Sequence, residues 1–224
     1  MKLMAMRSDR GSSWVGKVVG IALALLLLGG VLLSSQYRSA AEGAAIASGL
    51  NPDQAFDPAA KAAELFTTIQ AELPNKATDL VVLAPEVGKD LTAAGAQYGQ
   101  DLGAGSYAFP VKVVGTVSKV DDRFLTLTVD GMGPDQKVVV PLAQAVNGGA
   151  VRDALGIIKF GDVPDQIAYQ SVAAEMGKIL KEQVIAPANV SSLVDKSVTV
   201  YGAWQNGGPS GTWLIQPVQI EAAQ

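Results

Sequence analysis

The stretch VKVVGTVSKVDDRFLTLTV, Val111 to Val129, decides the fold class of this chain. Val111, Val113 and Val117 alternate with Lys112, Thr116 and Ser118. After the turn-forming pair Asp121-Asp122, Leu125, Leu127 and Val129 alternate with Thr126 and Thr128. A period of two on both sides of a short polar turn is the pattern of a β-hairpin. Downstream, Asp130-Gly131-Met132-Gly133-Pro134-Asp135 turns the chain into Lys137 to Pro141, a third strand of a meander. Asn147-Gly148-Gly149, a short helix from Val151 to Leu155 and a longer one from Gln170 to Val184 form a helical interval. Val198, Val200 and Trp204 then alternate in a fourth strand, and Trp213 to Ile220 makes a fifth, with Pro217 expected at an edge or a bulge. Three strands, a helical interval and two strands is the order of an oligonucleotide/oligosaccharide-binding (OB) barrel. Gly115 and Gly202, each inside a β-branched strand, suit the bends that close a small barrel.

Upstream of the strands the period is helical. Asp57 is a good N-cap, Pro58 suits the first helical position, and Ala62, Phe66, Ile69 and Leu73 fall on one face. Pro74-Asn75 is expected to end this helix. A second helical stretch from Thr78-Asp79 is expected to break near Pro85 and Gly88 before Leu91, Ala94 and Tyr98. Gly99 to Ser106 reads as punctuation, so two or three short helices precede any strand.

The N-terminal region sets the location. Sixteen uninterrupted apolar or Gly residues, Val18 to Leu33, follow a tail carrying Lys2, Arg7, Arg10 and Lys17. With Trp14 and Val15 counted in and Lys17 snorkelling, the segment reaches the ~20 residues that span a bilayer. The charge asymmetry keeps the N-terminus in the cytoplasm. A cleaved secretory signal ending at Ser39-Ala40-Ala41 is the competing reading, but the apolar run exceeds the ~7–15 residues of a signal core. The expected organisation is α+β: a cytoplasmic tail (1–17), a transmembrane anchor helix (18–36), a flexible tether (37–56), a short helical subdomain (57–106) and a five-stranded OB-like β-barrel with inserted helices (107–224). The protein is then a single-pass protein of the cell membrane with an extracytoplasmic domain.

Composition removes several function classes. Beyond Lys17 the chain has 13 Lys+Arg against 20 Asp+Glu, a formal charge of −7, so it is no electrostatic match for nucleic acid. No Cys and no His occur. Disulfides, thiolate metal sites, His-dependent triads and HExxH zinc sites are therefore absent. No GxSxG or P-loop is present, and Gly103-Ala104-Gly105 lacks the third Gly of a dinucleotide fingerprint.

Four groupings carry candidate chemistry. Asp130 to Asp135 could ligate a hard cation, but only two carboxylates are present and a hairpin turn explains them better. Tyr107, Phe109, Tyr201, Trp204 and Trp213 could stack on sugars or bases, or form the core; the scarcity of other large residues favours the core. Asp162 and Asp165 around Pro164 raise carboxylate catalysis, but turn and N-cap roles are the simpler reading. Arg152-Asp153 after a Gly-rich turn could bind an anion or anchor the helix by a salt bridge. The segment from Asn147 to Gln166 is the expected ligand- or partner-binding face, with Asn147, Arg152, Asp153, Asp162 and Gln166 as its residues. The structural alternative is an Arg152–Asp162 pair that pins the connection. No metal, cofactor or catalytic residue is assigned.

Ala94-Gly95-Ala96-Gln97-Tyr98-Gly99, Val113-x-Gly115-x-Val117 with Leu125 to Asp130, Gly149-Ala150-Val151-Arg152-Asp153-Ala154-Leu155, and Phe160-x-Asp162-x-x-x-Gln166-Ile167-x-Tyr169 together resemble a family of unknown function described as predicted periplasmic lipoproteins, often encoded beside sugar-type ABC transporter genes. The likeness covers about Phe56 to Glu221. Members often carry a lipid-anchoring Cys after the apolar segment, where this chain has Leu32-Leu33-Ser34-Ser35; that departure points to a transmembrane anchor. Asp165 stands where the resemblance suggests an Asn. The resemblance implies an accessory role in solute uptake, with transporter or solute-binding-protein components as partners. The expected function is thus a non-enzymatic, membrane-tethered binding or accessory module. A carboxylate-dependent carbohydrate-active enzyme of the cell envelope is the alternative, and two acids on facing elements in one cleft would favour it.

Overall fold

Asp57 starts the first helix as its sequence suggests, accepting hydrogen bonds from the N–H groups of Ala59 (2.9 Å) and Ala60 (3.1 Å). In the computed structural model, which describes residues 56–222, this helix, α1, spans Pro58–Lys76 and buries Ala62, Leu65, Phe66, Ile69 and Leu73. It runs through Pro74 to Lys76. The proline sits in the last turn and removes a single intrahelical bond, too little to end the helix earlier. The tail and anchor expected over 1–17 and 18–36, and all but the last residue of the tether expected over 37–56, lie outside the described residues.

Helices α2 (Leu80–Lys89) and α3 (Leu91–Tyr98) follow. The break comes before Leu91 as expected, at Asp90 just past Gly88, where the Asp90 side chain caps α3 through the N–H groups of Thr92 (2.9 Å) and Ala93 (3.0 Å). Between α1 and α2, Thr78–Asp79 forms a two-residue strand, β1, parallel to Val111-Lys112. The Gly-rich stretch expected as punctuation holds another short strand, β2 (Gln100–Gly103), which pairs antiparallel with the start of β3 (Ser106–Val120). Gly103, Ala104 and Gly105 all take positive φ in the tight connection.

The meander is as read: β3 pairs with β4 (Phe124–Thr128), and β4 with β5 (Lys137–Pro141). A helical interval then carries α4 (Gly149–Asp153) and α5 (Gln166–Ile179), the latter continued by a π-helical turn at Leu180–Ile185. Helix α5 starts four residues before the expected Gln170, because Asp165 caps it through Ala168 N–H (2.7 Å). Strand β6 (Ser197–Gln205) lies antiparallel to β3 along nine residues.

The expected fifth strand is split. Thr212–Leu214 (β7) pairs parallel with β5, and Gln216–Ala222 (β8) pairs antiparallel with β6. The order β7-β5-β4-β3-β6-β8 therefore begins and ends with two halves of one segment, which brings the sheet round into a nearly closed barrel. Pro217 stands opposite Gly202 at a register shift, the bulge its ring demands. The two strand glycines are positions of close backbone approach. A Cβ on Gly115 would lie 2.6 Å from the Thr128 carbonyl oxygen, and one on Gly202 would collide with the Gln216 carbonyl oxygen.

Two apolar cores result. The barrel interior holds Phe109, Val111, Val113, Leu125, Val140 and Ile215 with the indoles of Trp204 and Trp213. A second core, with Ile69, Val151, Met176, Ala203 and Val218, joins α1, α4 and α5 to the outer face of β6 and β8.

Candidate functional site

Helix α4 is barely more than one turn, and its setting is fixed by small residues. The Asn147 side chain accepts from Gly149 N–H (2.8 Å), while Asn147 N–H donates to Gln216 Oε1 (3.0 Å). A Cβ on Gly148 would meet Met176 Cβ at 2.5 Å and Gly177 N at 2.6 Å, so only glycine lets α4 approach α5 this closely. That approach sets Arg152 and Asp153, the last two residues of α4, against Tyr169 in the first turn of α5.

The three side chains form one unit. Arg152 donates from Nε to Asp153 Oδ1 (2.7 Å) and from Nη2 to Oδ2 (2.8 Å), a bidentate pair, and from Nη1 to the Tyr169 carbonyl oxygen (2.7 Å). The guanidinium stacks over the Tyr169 ring, 3.5 Å from Cζ to the ring centroid. Tyr169 Oη donates to Asp153 Oδ1 (2.7 Å). Arg152 is 8% exposed and Asp153 6%, so each charge depends on the other for compensation. Burial, then the hydrogen bond to Asp153, pushes the Tyr169 hydroxyl up to about 12.

This unit is one wall of a cavity of about 610 Å³, inside the size range of small-molecule sites, about 300–1,000 Å³. The barrel also contributes to the lining: Gln100 and Asp101 on β2, Ser106 at the start of β3 and Gln205 at the end of β6. Gln205 Nε2 donates to Ser106 Oγ (3.2 Å), and Asp101 Oδ1 accepts from Gly103 N–H (2.7 Å). The connection between α4 and α5 adds Lys159 and Phe160. Phe160 is 57% exposed and meets the Tyr169 ring edge-on, with centroids 5.9 Å apart.

Of the five residues expected from sequence, Arg152 and Asp153 line this cavity together. Asn147 faces two other clefts of about 450 and 180 Å³. Asp162 accepts from Lys159 N–H (2.7 Å) and caps the turn Phe160–Asp162, so the expected alternative pair with Arg152 is replaced by Arg152–Asp153. Gln166 opens α5 as an exposed residue away from the cavity lining. Sequence reading missed Gln100, Ser106, Lys159 and Gln205 as cavity residues. Phe160 and Tyr169 were visible only as part of the family pattern.

The other groupings are structural. Trp204 lies 5.2 Å from Phe109 and 4.3 Å from Trp213, centroid to centroid, and Tyr107 6.2 Å from Phe109; all four rings are buried. Met132 N–H to Val129 O (3.2 Å) and Gln136 N–H to Gly133 O (2.9 Å) shape the Asp130–Asp135 loop as a turn. Among the described residues, no group of three or more Asp or Glu side chains is placed to hold a metal ion. Nor is any described helix long and apolar enough to cross a membrane.

No match is found among curated proteins. Among solved structures, an OB-fold protein from Thermotoga maritima is similar over 76% of this chain and 100% of its own, with a TM-score of 0.63 and 20% sequence identity. At that identity the likeness speaks for the fold alone, and it agrees with the barrel order above. The family model described as "Predicted periplasmic lipoprotein (DUF2291)" matches residues 21–221. With nearly all of the described barrel and its helical interval inside that match, the chain belongs to this family of predicted periplasmic lipoproteins, whose function is unknown.

Proposed function

We propose that this protein is an extracytoplasmic, non-catalytic binding module held to the membrane by a single N-terminal span, with its N-terminus in the cytoplasm, and that it assists an ABC-type sugar uptake system. The basic tail and the Val18 to Leu33 run support the span and its orientation. The transporter association rests on the family resemblance. The observation that carries the non-catalytic reading is the state of Asp153, whose two oxygens are both engaged, Oδ1 by Arg152 and Tyr169 and Oδ2 by Arg152. Carboxylate-only glycoside chemistry needs one acid free to protonate a leaving group and a second one facing it. Asp101 faces the same cavity, but its companion there is committed to the guanidinium.

The test has two arms. Cells lacking this protein should take up radiolabelled sugar more slowly than cells in which the chain is restored; equal uptake refutes the accessory role. The purified full chain should release no nitrophenol from nitrophenyl glycosides. Release that Asp153→Asn abolishes overturns the non-catalytic reading in favour of the carbohydrate-active alternative.

A further inference from the structure

Resting on the reading of this cavity as a binding site, we infer that it takes a neutral, hydroxyl-rich ring compound of mono- or disaccharide size and discriminates against charged ligands. The charge at the site is balanced. Arg152 and Lys159 supply two positive groups, Asp101 and Asp153 two negative ones, and the most buried positive group is already paired at 2.7 and 2.8 Å. An anion drawn to Arg152 meets Asp153, which is paired with it, and shares the cavity with Asp101. A cation drawn to Asp101 meets Lys159 and Arg152. A neutral ligand meets neither repulsion and loses no ionic hydration on entry.

The hydrogen-bonding groups are mixed in the same way. Three of the five guanidinium N–H groups of Arg152 are used within the protein, which leaves two as donors. The amides of Gln100 and Gln205 offer both donors and acceptors, Asp101 is an acceptor, and Ser106 is either. A hydroxyl group donates and accepts at once, so a ring bearing several of them answers an alternating rim that a pure acceptor or a pure donor cannot. The Phe160 ring, 57% exposed and braced edge-on by Tyr169, supplies an apolar face for the C–H side of such a ring. Leu102 and Ile158 extend that apolar surface. A ligand seated in the cavity would cover the exposed Phe160 ring.

The full chain in lipid nanodiscs, which avoid sugar-headed detergents, would be titrated calorimetrically with D-glucose, D-galactose, D-ribose and maltose, and with the charged analogues D-glucuronate and D-glucosamine. At least one neutral sugar should bind, with the charged analogues about tenfold weaker or more. Phe160→Ala and Gln205→Ala should each weaken that binding by about tenfold while leaving the melting temperature unchanged. Absence of binding by every neutral sugar overturns the inference, as does tighter binding of a charged analogue or binding that neither variant affects. A charged analogue that binds and is lost in Phe160→Ala overturns the ligand class yet leaves the binding-module reading standing. Chemical conversion of a bound neutral sugar does the reverse.

Discussion

Replacing Arg152 by Met keeps the aliphatic stem and removes the charge, leaving Asp153 buried beside an apolar side chain. Breaking one partner of a buried ion pair costs about 3–5 kcal/mol. Here the cost falls at the lower end of that range, about 3 kcal/mol, because Tyr169 Oη still donates to Asp153 at 2.7 Å and the adjoining cavity admits water. For a domain of this size each kcal/mol moves the melting temperature by roughly 2–4 °C, so Arg152→Met should lower it by about 6–12 °C. Thermal denaturation followed by circular dichroism measures this directly. The double variant Arg152→Met with Asp153→Asn removes the orphaned charge and should recover about half of the loss or more, since a neutral pair carries far less desolvation penalty. A shift under about 2 °C for the single variant, or a double variant less stable than the single one, would refute the view of the pair as mutually dependent.

Gly115→Val and Gly202→Val should each destabilise the domain by about 1–3 kcal/mol, because their side chains would run into the Thr128 and Gln216 carbonyl oxygens; unchanged denaturant midpoints in both would remove the case for close strand approach. Tyr169 should give a phenolate absorbance step near pH 12 that disappears in Tyr169→Phe. Its hydroxyl pKa is raised in the folded state, so its contribution to stability is complete below about pH 10 and is lost as the pH rises towards about 12; superimposable titrations of the two proteins would contradict this. Protease added to spheroplasts should digest the domain and spare the N-terminal tail, whereas a soluble mature chain starting near Glu42 would replace the anchor with a cleaved signal.

The barrel was legible in sequence because its strands declare themselves locally. Alternating Val and Thr, the Asp121-Asp122 turn and Pro217 each act on their immediate neighbours, and the expected strand order follows from them. The break at Ile215 was not legible, since it arises from two different partners, β5 and β6, claiming the two ends of one apolar segment. The ends of α1 and α2 were legible to within a residue or two: Pro74 and Pro85 weaken a helix locally, but burial of Leu73 and Leu83 carries α1 on to Lys76 and α2 on to Lys89. At the site, Arg152 and Asp153 stood out as adjacent charges in an apolar helix. Gln100, Ser106 and Gln205 carried no such signal. They belong to three strands whose ends meet only when β3 has paired with both β2 and β6, and no local pattern encodes that meeting.

The split last strand has a consequence for how the molecule is made. While the chain emerges, β3, β4 and β5 can pair as soon as they appear, but β5 keeps an open edge until Thr212–Leu214 arrives to cover it. The whole helical interval and β6 are synthesised in between, so a hydrophobic strand, Val138-Val139-Val140, waits with unpaired backbone groups on one edge for a segment about 70 residues downstream. An interruption of translation or export between residues 141 and 212 therefore leaves a sticky half-barrel. The nascent domain is most vulnerable to aggregation in that interval, and a chaperone that shields strand edges would serve it best there.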